Sequence, residues 1–289
     1  MEHACSLASE LDRLRRERPH VRAFVDPFLG LLVAREPLVE ALRCADASRP
    51  GSRVDPVRLA QGASLEARDE FPLDEAALER AFEVLQPALV AGFRDVRPDL
   101  SAIGQAARAR EGFVAEAVRN LLREKKTDLA RLAHRLGVDA RVMTFWATQL
   151  VTPLAMARGR RLAGLVAEAA WNRGYCPVCG SWPGYMRRDA AGGVMTCAFC
   201  AATWRFSRRE CPFCEAAGPT AQAYAVPGFD GERVVACRRC NHYLSELQDG
   251  DLADYPSELA GLALAPLELL ARQHGHLPGV MDWRQMPWA

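Results

Sequence analysis

The chain has 289 residues, 37 Lys and Arg against 36 Asp and Glu, and 49% hydrophobic residues. That apolar content excludes wholesale disorder, and the length fits two or three domains. A net charge of +1 provides no global electrostatic reason to bind nucleic acid or an anionic membrane.

Residues 1–172 read as helices. Residues 20–46 have helical character with expected interruptions near Pro27 and Pro37, and Arg49-Pro50-Gly51-Ser52 marks a break. Leu78, Phe82, Leu85, Leu89 and Phe93 recur at steps of three or four, the stripe of a 3.6-residue period. Val114, Ala117, Val118, Leu121 and Leu122 repeat it. So do Leu129, Leu132, Ala133 and Leu136, with Thr127 expected as N-cap and Gly137 as the terminating residue. These stripes predict a helical bundle.

The longest uncharged apolar run, Val142–Ala157, falls short of the ~20 apolar residues a membrane span needs and reads as a buried core helix. Arg15-Arg16 has no apolar stretch behind it, so neither a secretory nor a twin-arginine signal is expected and the expected location is cytoplasmic.

From Arg173 the pattern changes. Pro, Gly, Cys and aromatic residues come at short intervals, and Thr203-Trp204-Arg205-Phe206-Ser207 alternates with the period of a strand. After Asp249 helix resumes through Leu259, Leu262, Leu264, Leu267 and Leu270, with a break expected at Pro266. The expected fold class is α+β: an N-terminal all-α domain, two small rubredoxin- or zinc-ribbon-like metal-binding domains, and a C-terminal helix. The corresponding boundaries are 1–172, 173–218, 219–250 (completed by Cys211 and Cys214) and 251–289. Beyond the cysteine pairs no internal repeat is visible.

Of ten cysteines, eight form C-x-x-C pairs: Cys176/Cys179, Cys197/Cys200, Cys211/Cys214 and Cys237/Cys240. Each such turn sets two thiolates on one side, and two turns complete a tetrahedral S4 site. Seventeen residues separate Cys179 from Cys197 and twenty-two separate Cys214 from Cys237. These spacings favour sequential pairing into two sites, with cross-bracing as the alternative. Pro177 and Pro212 follow the first ligand of their turns and fix φ there. The residue after the second ligand calls for a left-handed backbone, which Gly180 and Asn241 suit better than Ala201 and Glu215.

His242 is expected to be solvated rather than a ligand. Cys5 and Cys44 are expected to be buried or unpaired thiols rather than ligands, His134 a surface or core-edge residue, and Trp204 and Phe206 small-core packing. No G-x-G-x-x-G, G-x-x-x-x-G-K-[ST] or H-E-x-x-H occurs, and no catalytic or organic-cofactor residue is assigned. Tetrahedral S4 suits zinc or iron.

Three segments together resemble one family. They are Cys176-Pro-Val-Cys179-Gly180-Ser181-x-Pro183, Cys197-x-x-Cys200-x-x-x-Trp204-x-x-x-Arg208-x-x-Cys211-Pro-x-Cys214, and Cys237-x-x-Cys240-x-x-Tyr243-Leu244. The order of four knuckles is that of the formate dehydrogenase accessory protein FdhE family. Two positions depart from its pattern: Ser245 stands where Lys commonly follows Tyr-Leu, and Ala265 where Asp commonly follows Leu262-Ala263-Leu264.

The resemblance implies a non-catalytic cytoplasmic maturation factor whose partner is the catalytic subunit of a respiratory formate dehydrogenase. It also implies two metal ions per chain, rubredoxin-type iron in preference to zinc, at sites open to redox change. Neither nucleic acid nor a membrane span belongs to this reading, and homodimerisation is left open. The competing readings are a zinc-ribbon nucleic-acid-binding protein and a rubredoxin-like electron-transfer or thiol redox protein. The turns at Pro177, Pro212 and Phe213, set in an arginine-rich stretch, are the expected contact surface. Its rivals are the helical bundle and the apolar tail with Met281, Trp283, Met286 and Trp288, for which packing against the core is the simpler expectation.

Overall fold

The structure, a computed structural model, describes residues 2–46, 55–166, 171–190, 192–207, 210–217, 220–226, 231–248 and 251–279. These fall into two compact units. One holds the described residues of 1–50 and 68–158, the other those of 51–67 and 159–284. The chain thus enters the second unit early, returns to the first, and leaves it again within one long helix.

The helices in chain order are α1 (Glu2–Glu17), α2 (Arg22–Val25), α3 (Leu29–Asp46), α4 (Pro56–Ala60, in the second unit), α5 (Glu75–Gly92), α6 (Arg97–Ala109), α7 (Phe113–Leu122), α8 (Lys126–Leu136) and α9 (Ala140–Val166). The apolar stripes face inward. Leu78, Phe82, Leu85 and Leu89 of α5, Phe93 just beyond it, and Val114, Ala117, Val118 and Leu122 of α7 are all buried.

Helix α9 is buried along the run Val142–Ala157. Its threonines satisfy themselves: Thr144, Thr148 and Thr152 each donate to the carbonyl four residues back, at 2.7–2.8 Å. Trp146, fully buried, meets Phe82 and Phe113 edge-to-face and donates from Nε1 to Gln86 Oε1 at 2.8 Å. Gln86 in turn donates to the Leu100 carbonyl, so the buried amide is paired on both sides. Among the described residues no helix is long and apolar enough to cross a membrane.

Two local expectations need correction. Pro27 does interrupt the early helix, within a 3-10 turn at Asp26–Phe28, but Pro37 lies inside α3. The ~3 kcal/mol a mid-helix proline costs is outweighed there by burial of Leu31, Leu32, Leu38 and Val39 on the flanking turns. Thr127 lies inside α8. The cap position is Lys125, which makes no side-chain capping bond, while Gly137 ends the helix at φ +68° as expected.

The second unit is built on one sheet with strands β1 (Pro183–Asp189), β2 (Gly192–Cys197), β3 (Thr203–Phe206), β4 (Ala221–Tyr224), β5 (Glu232–Cys237), β6 (His242–Gln248) and β7 (Leu277–Pro278). The order is β3-β2-β1-β6-β5-β4, with β7 beside β6. Two copies of the same unit, knuckle–strand–strand–knuckle–strand, stand side by side.

The register confirms the repeat. Pro183 faces Cys197 in the first copy as Ala221 faces Cys237 in the second. Thr196 faces Thr203 as Ala236 faces Tyr243. Each copy is antiparallel within itself, and the parallel β1–β6 pairing joins them. The two metal-type regions therefore share one continuous sheet. Helices α10 (Ser257–Ala263) and α11 (Ala265–Gln273) follow, broken at Leu264 ahead of Pro266.

At the β1–β6 junction Glu246, 3% exposed at its side chain, accepts from both Arg188 of β1 and Arg233 of β5, at 2.7–2.8 Å. Part of the local arginine excess is thus neutralised within the sheet.

Candidate metal centre

The knuckles project from the strand ends, so each pair of turns is brought together by the hairpin between them. Cys176, Cys179, Cys197 and Cys200 form one cluster, and Cys211, Cys214, Cys237 and Cys240 the other. The pairing is sequential. Within each cluster all four sulfurs lie within 4.8 Å of one another.

Sulfur–sulfur edges are 3.7 Å for Cys176–Cys200 and 3.5 Å for Cys179–Cys197, then 3.7 Å for Cys211–Cys240 and 3.8 Å for Cys214–Cys237. A tetrahedral ion with metal–sulfur bonds of ~2.3 Å requires edges of about 3.8 Å, so both clusters have the shape for one ion each.

Each knuckle closes in the same way. The Cys176 N–H donates to the Ser181 carbonyl, Cys197 to Ala202 and Cys211 to Ala216. The residue after the second cysteine donates back to the first, as Gly180 does to Cys176, Glu215 to Cys211 and Asn241 to Cys237. That return needs a left-handed residue, and all four positions have it: Gly180 at φ +73°, Ala201 at +58°, Glu215 at +54° and Asn241 at +62°. Ala201 and Glu215 adopt the strained conformation although their types disfavour it. The hydrogen-bond closure of the turn outweighs a local cost of about 1–2 kcal/mol.

Crowding the thiols splits their acidity. In the first cluster burial, with its neighbours, pushes Cys176 well up, and the thiols of Cys176, Cys179 and Cys197 push Cys200 up. Hydrogen bonds from Cys176, Cys197 and Cys200 hold Cys179 well below the ordinary thiol range. In the second cluster burial raises Cys211 and Cys240. Burial opposes ionisation of Cys237 too, but the amides of Cys240 and Arg239 and the thiols of Cys211 and Cys214 together bring it down to about 6. One thiol in each group ionises at the expense of its neighbours, as expected of four sulfurs whose full deprotonation needs a cation between them.

The clusters differ in cover. The first is buried, its cysteines 0–5% exposed, whereas Cys211, Cys214 and Cys240 of the second are half-buried. Residues 62–66 cover the first: Leu65 and Glu66 donate to the carbonyls of Pro177 and Val178, and Tyr175 Oη donates to the Gly62 carbonyl. Pro177 is accordingly buried, not part of an exposed turn, while Pro212 and Phe213 are half-buried. Nothing in the sequence near residues 62–66 signals this role, because the contact depends on a long-range approach of the backbone.

Other expected residues fall into place. His242 is not among the clustered ligands; its ring packs against Phe213 at 5.4 Å. Trp204 and Phe206 are buried, and Trp204 donates to the Arg173 carbonyl at 3.0 Å. Cys44 and His134 are exposed. Arg208 of the central motif and the tail residues Met281, Trp283, Met286 and Trp288 lie outside the described residues, as does the Cys5 side chain.

No family model matches the chain. A protein named FdhE homolog from Aquifex aeolicus (strain VF5) is 24% identical over 164 residues, covering 53% of this chain and 56% of that relative. The chain thus matches little more than half the length of that curated relative. The crystal structure of the FdhE protein from Pseudomonas aeruginosa matches 98% of this chain and 95% of its own, with a TM-score of 0.57 and 19% identity. The chain has the FdhE fold. Sequence and fold comparisons together support the FdhE family.

Against that family's pattern Ser245 is buried in β6, opposite Tyr185 of β1. A lysine there would have to place its charge inside the sheet, so a small residue suits this chain. Ala265 opens α11, directly before Pro266.

Proposed function

We propose that this chain is a cytoplasmic maturation factor of the FdhE type. It binds the catalytic subunit of a respiratory formate dehydrogenase and supports its assembly into active enzyme. In this reading Cys176, Cys179, Cys197 and Cys200 hold one metal ion, and Cys211, Cys214, Cys237 and Cys240 a second. The observation that carries it is the pair of tetracysteine clusters set at equivalent positions of a tandem sheet, in a chain that shares the FdhE fold over nearly its whole length.

We take the ion to be iron of the rubredoxin type. Iron in an S4 site supplies one-electron chemistry without a change of ligands, where zinc would supply structure alone. The protein's part is to hold eight thiolates in two rigid tetrahedra and to present the half-buried turn at Pro212 and Phe213 to the partner. In this reading the role is one of contact rather than turnover.

Deleting the gene in its host should abolish respiratory formate dehydrogenase activity while transcription of the catalytic subunit is unchanged. A plasmid-borne copy should restore it, and a copy carrying Cys237→Ser and Cys240→Ser should not, even where the protein accumulates normally. Formate oxidation untouched by the deletion would refute the reading. Protein purified without air should carry two metal equivalents, with the visible absorption of ferric S4 sites after oxidation; a colourless two-metal protein would replace iron with zinc.

A further inference from the structure

We infer that the two clusters have different duties: Cys211, Cys214, Cys237 and Cys240 form an exchangeable metal site, and Cys176, Cys179, Cys197 and Cys200 a permanent one. The inference rests on the reading that each cluster holds an ion, and goes beyond it by assigning which ion can leave.

The two sites have the same kind of ligand set, matching knuckle turns and two left-handed residues each. Intrinsic affinity therefore gives little reason for a difference. Access provides one. A thiolate site loses its ion by attack of an incoming ligand on the metal, so exchange requires an open edge or a local opening of the fold.

At the first cluster, described residues cover the thiols on two sides. Its cysteines are 0–5% exposed. Two main-chain hydrogen bonds, from Leu65 and Glu66 at 2.9 Å, fasten the 62–66 segment across Pro177 and Val178. On the Cys200 side the backbone of α9 comes so close that a Cβ at Gly159 would collide with the Cys200 carbonyl oxygen. Amides of Phe199 and Cys200 point at Cys197 Sγ at 3.4 Å. Removing this ion requires displacing a helix or the 62–66 segment.

Among the described residues the second cluster is less fully covered, although the backbone at Gly174 packs against Pro212 and that at Gly279 against Phe213. Three of its four cysteines are half-buried, where all four of the first are fully buried. Cys211 and Cys237 line a cavity of about 90 Å³ together with Phe213, His242 and Arg188. The cavity thus lies directly beside this cluster, where no cavity is found beside the first among those described. Asn241, next to Cys240, is held by Gly275 and His276 at 2.8 and 2.7 Å. These bonds steady the knuckle from the side without covering the sulfurs. The same fold thus builds one sealed and one accessible copy of a single metal unit.

The test uses the full chain reconstituted with Zn²⁺. Metal analysis comes first: fewer than two zinc per chain would defeat the two-site reading itself, before any kinetics. With two bound, release is followed by absorbance on mixing with the chromophoric chelator 4-(2-pyridylazo)resorcinol. Two phases of one equivalent each are expected, separated by about tenfold or more in rate, because only the slow phase waits on local opening. A pulse of iodoacetamide after the fast phase, read by peptide mass spectrometry, should label Cys211, Cys214, Cys237 and Cys240 and spare the other four. Loss of both ions in a single phase, or first labelling at Cys176, Cys179, Cys197 or Cys200, would overturn the inference.

Discussion

The four residues that follow the second cysteine of each knuckle offer a test with an internal control. All are left-handed, at φ between +54° and +73°, but they are Gly180, Ala201, Glu215 and Asn241. An alanine in this conformation costs about 1–2 kcal/mol relative to its right-handed basin. Glycine escapes that cost but loses about 0.5–1 kcal/mol more backbone entropy on folding. Ala201→Gly should therefore stabilise the folded, metal-bound knuckle by about 0.5–1 kcal/mol, or about two- to fivefold in metal retention. Glu215→Gly should move the same way, since it relieves the same left-handed strain.

The reverse change, Gly180→Ala, should cost about 1–2 kcal/mol from φ alone, and its new Cβ would lie 3.2 Å from Ser64 Oγ. Asn241→Gly should also destabilise. Asparagine tolerates this conformation, and its two side-chain hydrogen bonds to Gly275 and His276 are lost at about 1 kcal/mol each. The measurement is equilibrium competition with a chelator of known affinity, because knuckle folding and metal binding are one equilibrium. A thermal midpoint would mix two units and two ions. Weaker metal retention in Ala201→Gly, or unchanged retention in Gly180→Ala, would refute the reasoning.

Glu246→Ala should loosen the joint between the two sheet copies, since it strands Arg188 and Arg233. Both guanidiniums are more than a third exposed and can rehydrate, so the expected loss is at the low end for a broken buried pair, about 2–3 kcal/mol. Amide exchange in β1 and β6 should quicken by about 30- to 100-fold if they open through that joint; unchanged exchange would deny Glu246 the role of clip. Metal removal by chelation should make 171–248 protease-sensitive, and residues 55–67 with it, because that segment is fastened to the first knuckle. The described helices of 68–158 should survive as a protected fragment, and their simultaneous digestion would contradict the separation into two units.

What could be read along the chain is what depends on neighbours in sequence. The helical stripes of α5, α7 and α8 are periodic in the sequence itself, and burial of one face follows from that period. The buried run of α9 was legible from its composition, and the break before Pro266 from proline chemistry. The grouping of the eight cysteines into two sequential clusters was legible because each knuckle is a local turn and the hairpin between two knuckles is short.

Other features depend on residues far apart in the chain. That Pro37 stays inside a helix depends on burial of its flanking turns by partners the sequence does not name. The sheet is continuous because β1 pairs in parallel with β6, some sixty residues on, and the repeat lies in hydrogen-bond register while the side chains between the cysteines differ. The left-handed turns at Ala201 and Glu215 are imposed by knuckle closure against local preference. Burial of Pro177 comes from a segment more than a hundred residues earlier. The sequence determines that there are two four-cysteine clusters, since the bonds that shape them are local; only the tertiary structure decides that one is buried and the other half-buried, since cover is supplied by whichever distant backbone comes to lie across a cluster.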